Sequence, residues 1–168
     1  MTRLAVALWP PPEVVRVLSA LDRPAIAGVR WSTPEQWMVK VRALGHVDER
    51  LVPALRAALR EGLDGAPATR CRLGPATIRL GGQWLGVPVE GLDELGRAAF
   101  EATEHLVGVT HPQPFRADIV LARGRAPADL AGQTVRADWI ARSIALVADR
   151  SSPRGPRFDE FARLPLGG

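Results

Sequence analysis

The stretch Gln36-Trp37-Met38-Val39-Lys40-Val41-Arg42-Ala43-Leu44-Gly45 alternates cleanly between two kinds of side chain. Trp37, Val39, Val41 and Ala43 are apolar, while Gln36, Met38, Lys40 and Arg42 face the other way. A period of two marks a strand with one buried face, which ties the chain to a sheet-containing fold. The second face is unusual, because a lysine and an arginine stand two residues apart on it. Lys40 is also the only lysine: of 22 Lys+Arg, all the others are arginine. That position on the strand asks for an ammonium rather than a guanidinium.

A chain of 168 residues fits one domain, or two small lobes sharing a core. Its 46% apolar content argues against disorder. The net charge of +4 and pI near 10.8 are carried by arginine. That balance suits anionic partners such as phosphates or RNA, although it is modest for the size. An Arg-, Ala-, Gly- and Pro-rich coding background explains it as readily. Cys71 is the single cysteine, so no intramolecular disulfide and no cysteine-based metal set is expected. The three histidines (His46, His105 and His111) are scattered without ligand spacing, so neither a metal nor a cofactor is expected. The apolar run at the N-terminus is too short for a signal peptide core or a membrane span. A soluble, cytoplasmic, monomeric protein with no membrane partner is the resulting expectation.

Along the chain, residues 3–9 predict a buried strand ended by Pro10-Pro11-Pro12, and residues 13–21 predict a helix with prolines at its start. A short strand is expected at 29–31, followed by the alternating strand at about 37–44, ending at Gly45. Residues 48–62 carry Leu51, Leu55, Ala58 and Leu59 on one face, with Pro53 tolerable only in the first turn of that helix. One or two strands at 70–80, a turn at Gly81-Gly82, a strand at 84–89 and a helix at 92–106 come next. Strands are then expected at 115–123, around 139–147 and at 158–164, with a short helical turn at 127–132. The order is one βαβ(β) unit succeeded by a second of similar design.

Several matches arrive in order along nearly the whole chain. They include Leu4-Ala5-Val6-Ala7-Leu8-Trp9-Pro10, Pro34-Glu35 leading into Val41-Arg42-Ala43-Leu44-Gly45, and Trp84-Leu85-Gly86-Val87. Phe115-Arg116 leading into Leu121-Ala122-Arg123 and the closing Phe161-Ala162-Arg163-Leu164-Pro165-Leu166 complete the set. In these features the chain resembles the 2H phosphoesterase superfamily, specifically the bacterial 2'-5' RNA ligase or RNA 2',3'-cyclic phosphodiesterase family. The resemblance implies an α+β bilobal fold: a single domain (residues 1–168) of two pseudo-symmetric lobes, each an antiparallel sheet flanked by helices, around a central cleft. It also implies two His-x-Thr motifs lining that cleft, with one histidine as general base, the other as general acid, and threonines holding the phosphate.

This sequence departs from that pattern at the centre. Counting from Leu44-Gly45, the first motif frame falls on Met38-Val39-Lys40; counting from Leu121-Ala122-Arg123, the second falls on Asp118-Ile119-Val120. Both histidines and both threonines are absent. Met38 cannot transfer protons and Val120 cannot hydrogen-bond a phosphate.

By alternation, the cleft should present Met38, Lys40 and Arg42 from one lobe and Arg116, Asp118 and Val120 from the other. Lys40 and Asp118 are the candidate catalytic residues. Lys40 can be a solvated strand residue, a phosphate contact, or a base or nucleophile. Asp118 can be an acid or base, or the partner of Lys40 in an ion pair closing the lobes. Met38, Arg42, Arg116 and Val120 are the candidate ligand-binding residues, with the two arginines as anion clamps or as structural pairs. Trp9 and Trp84 are expected near the rim as base-stacking candidates, and Trp37 and Trp139 in the core. His111 is expected in a loop.

These residues are open to three readings. One is a pseudoenzyme that still binds a nucleotide or RNA end. Another is an enzyme rebuilt around Lys40 and Asp118 for a different substrate. The last is a protein-interaction module whose cleft is filled by its own side chains, with Lys40 and Asp118 bonded to each other.

Overall fold

A computed structural model describes residues 1–109 and 116–167. His111 and Phe115 lie outside the described residues. The first sheet combines the two ends of the chain: β1 (Thr2–Leu8), β3 (Val39–Val47), β9 (Ser143–Asp149) and β10 (Phe158–Pro165), in the spatial order β10-β9-β1-β3. The second is built from β2 (Val29–Trp31), β4 (Thr69–Leu73), β5 (Ile78–Leu80), β6 (Trp84–Glu90), β7 (Asp118–Gly124) and β8 (Ala137–Ala141). Its path is β2-β7-β6-β4-β8, with β5 also paired to β6. Every strand pair is antiparallel. Helices α1 (Pro12–Ser19), α2 (Val52–Gly62) and α3 (Asp93–Thr103) flank the sheets.

Local sequence explains these elements. Pro12 opens α1 and Pro53 lies in the first turn of α2, where a missing N–H costs nothing. Val14 and Leu18 of α1, Leu55 and Leu59 of α2, and Leu95 and Ala99 of α3 all turn inward at helical spacing. They join Leu4, Val6 and Leu8 of β1 and Ile144, Leu146 and Ala148 of β9 in one core that reaches both sheets. Trp37 and Trp139 are buried in that core, as their placement on apolar faces predicted.

Two expectations change. The single strand expected around 139–147 is two strands in different sheets: β8 pairs with β4, and β9 pairs with β1 and β10. Arg142 lies between them. A run this continuously apolar hides the break, because β9 is buried on both faces while β8 is buried on one. The alternating strand also does not end at Gly45, but continues to Val47. Gly45 takes a positive φ of 71° inside the strand, a conformation open to glycine without strain.

Candidate functional site

β3 and β7 face each other from the two sheets, and the space between them is a cleft of about 1400 Å³. Met38, Lys40, Asp118 and Val120, the outer residues of the two three-residue motif frames, all line it. The strands are built alike around these positions. In β3 the pairing slips past Val41, since Ala7 pairs with Lys40 but Val6 with Arg42, and a second slip past Leu44 keeps His46 on the cleft side. In β7 it slips past Leu121, since Gly86 pairs with Val120 but Leu85 with Ala122. A bulge of this kind adds one residue to a strand and reverses the facing of the residues beyond it. The bulges at Val41 and Leu121 each come directly after the last residue of a motif frame. Ala43 and Arg123 therefore return to the cleft, while Ala122 is buried and Arg42 stays only at the cleft's border.

Arg42, expected on the cleft by alternation, does line it, but most of its side chain is turned toward α3. Arg42 is only 6% exposed, and its guanidinium wraps the end of α3. Nε donates to Thr103 Oγ1 at 3.4 Å, and Nη2 donates to the carbonyls of Val107 and Gly108. Its charged group also lies 4.5 Å from the centre of the Phe100 ring. Arg42 borders the cleft, yet two of its three hydrogen bonds go to backbone carbonyls past the end of the helix. These bonds brace β3 against the end of α3.

On the first sheet, the cleft face forms ordered rows across the strands. His46, Arg3, Asp149 and Phe158 make one row, and Lys40, Ala7, Ala145 and Arg163 make another. The small side chains of Ala5 and Ala43 leave depth between the polar ones. A smaller recess of about 310 Å³ opens there, lined by Arg3, Lys40, His46, Asp149 and Phe158 among others. On the opposite wall stand Arg116, Asp118, Val120 and Arg123, with Trp84 beside them. Arg123 lies 5.4 Å from the centre of the Trp84 ring.

Among the described residues, the Lys40 side chain makes no hydrogen bond or ion pair, and neither does that of Asp118. Lys40 is reachable by solvent, but it projects into a concave site whose walls displace much of its hydration. That burial pushes the Lys40 amine below the ordinary lysine range; Asp149 and Asp118 oppose the shift, while Arg123 and Arg3 add to it. Burial likewise raises the Asp118 carboxyl, and Lys40 pulls it back in part. The two groups sense each other across the cleft without touching. A cleft filled by its own side chains, with these two bonded together, is not what the structure contains.

Electrostatically the cleft is basic: seven Lys and Arg line it against three Asp. The rest of the chain then holds fifteen residues of each sign, so the net +4 is concentrated here. Arg150 is neutralised by Glu49 and Asp159, and Arg42 is committed to the end of α3. Arg3, Lys40, Arg97, Arg116 and Arg123 form no ion pair among the described residues. Among the described residues no three His, Cys, Asp or Glu side chains converge to hold a metal.

Trp84 lines the cleft and is 41% exposed, which suits a stacking surface. Trp9 does not line it; its indole N–H donates to the Glu35 carbonyl at 2.9 Å, and its ring meets Phe158 edge-on. Phe158 takes the lining position instead. Reading only the two motif strands missed Arg3, His46, Asp149 and Phe158. His46 was hidden by ending β3 at Gly45; the other three lie on strands that say nothing of their neighbours until register is known.

No protein-family model matches the sequence, and no curated protein matches it significantly. Solved structures do. The chain superposes on TT0787 of Thermus thermophilus with a TM-score of 0.82, at 25% identity over 99% of this chain and 98% of that one. A phosphoesterase structure gives 0.80 at 20% identity over the full length of both. E. coli LigT complexed with 3'-AMP gives 0.77 at 20% identity over 99% of each chain. Further structures of LigT hold NADP+, phosphate and ATP. Likeness at this level speaks for the fold: two antiparallel sheets and their flanking helices, arranged as in the bilobal 2H phosphoesterases. No helix among the described residues is long and apolar enough to cross a membrane.

Proposed function

We propose that this protein, which has the 2H phosphoesterase fold, binds the phosphate of a nucleotide or RNA end in its cleft without the cyclic phosphodiesterase chemistry associated with that fold. The observation that carries the reading is the state of Lys40. It stands where the first motif's threonine would be, lacks a bonded partner among the described residues, and has Arg3 and Arg123 close enough to influence its charge. An anion held by these groups would relieve their mutual repulsion, and guanidiniums can receive phosphate oxygens in pairs. LigT, which shares the fold, has been crystallised with 3'-AMP and with phosphate. Trp84, with Arg123 against its ring, offers a surface for the attached base.

The expected reaction fails for want of proton carriers. Met38 has no titratable group, and Asp118 is a single carboxyl where the chemistry needs a matched acid and base on opposite sides of the phosphorus. His46 lies in the same cleft beside Arg3, but the Ala5–Ala43 row separates it from Lys40 and the first motif frame. The test is calorimetric titration with 2',3'-cyclic AMP and 3'-AMP, followed by chromatography of the mixture. Saturable binding of both with no conversion of the cyclic compound is expected. Absence of heat at millimolar ligand, or steady turnover, would sink the proposal.

A second reading is favoured by the unbonded pairing of Lys40 with Asp118: a reactive centre for another substrate class.

A further inference from the structure

The chain places its single lysine on the cleft face of β3 and leaves it without a bonded partner among the described residues. A lysine serving only as a fixed charge gains by resting against a carboxylate. Here Asp149 and Asp118 act on Lys40 only at a distance, while Arg3 and Arg123 press on it with like charge. Crowding by guanidiniums and partial burial favour the neutral amine, which alone carries a nucleophilic lone pair. The recess beside Lys40 is lined by Ala5 and Ala43, whose small side chains leave room for a flat group near the nitrogen. Across the cleft, burial makes Asp118 hold its proton more firmly than an exposed aspartate does.

We propose that Lys40 condenses with the carbonyl carbon of a phosphate-bearing aldehyde or ketone, with Asp118 supplying the proton that releases water. The choice of a phosphorylated substrate rests on the phosphate-binding reading of the cleft; the reactivity of the amine does not. The neutral Nζ forms a bond to the carbonyl carbon, and a proton passes from nitrogen to the former carbonyl oxygen, giving a carbinolamine. The Asp118 carboxyl then protonates that hydroxyl. The C–O bond breaks, water leaves, and the nitrogen lone pair completes the C=N bond. The product is an iminium cation facing an Asp118 carboxylate, so the charge created on nitrogen is balanced within the cleft. Arg3 and Arg123 are the guanidiniums available to the phosphate. No oxidant or reductant enters.

Pyridoxal 5'-phosphate serves as the probe, with borohydride reduction, intact mass and peptide mapping as readouts. One reduced adduct per chain is expected, on Lys40, formed faster at pH 7 than on a free lysine derivative. It should be lost in Lys40→Arg, slowed in Asp118→Asn and suppressed by inorganic phosphate, with circular dichroism confirming that both variants fold. Pyridoxal, which lacks the phosphate, should label more slowly. An adduct confined to the α-amino group of Met1, which also borders the cleft, would overturn the proposal. So would labelling of Lys40 no faster than of the free amine. Equal labelling by pyridoxal would overturn the phosphorylated substrate class. If Lys40 stays unlabelled while 3'-AMP still binds, the imine fails and the phosphate-binding reading survives.

Discussion

Replacing Arg42 with alanine separates a structural strut from an anion clamp. Arg42 sits on the cleft-bordering strand, yet its guanidinium donates to Thr103 Oγ1 and to the carbonyls of Val107 and Gly108. Hydrogen bonds from a charged group are worth ~1.5–3 kcal/mol when their loss strands a partner. The stacking on Phe100, at 4.5 Å and largely desolvated, adds ~1–2 kcal/mol. These terms overlap, so Arg42→Ala should lose about 3 kcal/mol of stability. Urea denaturation followed by fluorescence should show a lower midpoint at an unchanged slope, because the surface exposed on unfolding stays the same. Arg116→Ala, on an exposed side chain, should shift stability by less than about 0.5 kcal/mol. A small stability loss in Arg42→Ala combined with loss of phosphate binding would refute the strut and restore Arg42 as a ligand contact.

Asp118 gives a pH signature. Burial holds its carboxyl above 3.8, the value it regains on unfolding. Below pH 3.8 both states are protonated and no difference exists; as pH rises through the folded-state value, the folded protein carries the cost of the charge. Asp118→Asn should therefore be more stable than the wild type at pH 7, with the gain vanishing in acid; a gain that persists below pH 3.8 would point to another cause. Trp84→Ala should weaken 3'-AMP binding by ~1–3 kcal/mol while leaving inorganic phosphate unaffected, a split that titration with both ligands resolves. Cys71 is buried and its thiol is pushed up to about 11, so the native protein should resist thiol reagents and react only on unfolding. Reaction of the native protein at the rate of a free thiol would contradict that burial.

The helices and most strands were legible because amphipathic periods and proline positions act locally. Val14 with Leu18, and Leu55 with Leu59, declare buried faces whatever the fold around them. Alternation fixes facing over three residues, and Met38, Lys40, Asp118 and Val120 do line the cleft. Facing was lost past Lys40, where the slip at Val41 turned Arg42 toward α3. A bulge leaves no mark in the pattern of side chains, since it depends on what the partner strand offers. The row His46–Arg3–Asp149–Phe158 was illegible for a related reason. Its members come from four strands at the two ends of the chain, and only the pairing register brings them together. The unbonded state of Lys40 is likewise a tertiary fact, set by how far apart the two sheets hold it from Asp118.

A crystal structure of the protein soaked with 3'-AMP tests phosphate binding at Lys40. The phosphate should lie against the Lys40 ammonium with Arg3 or Arg123 as a second contact, the base should lie near Trp84, and the nucleotide should be chemically intact. Phosphate density elsewhere on the surface, with the cleft around Lys40 free of ligand, would contradict the central claim.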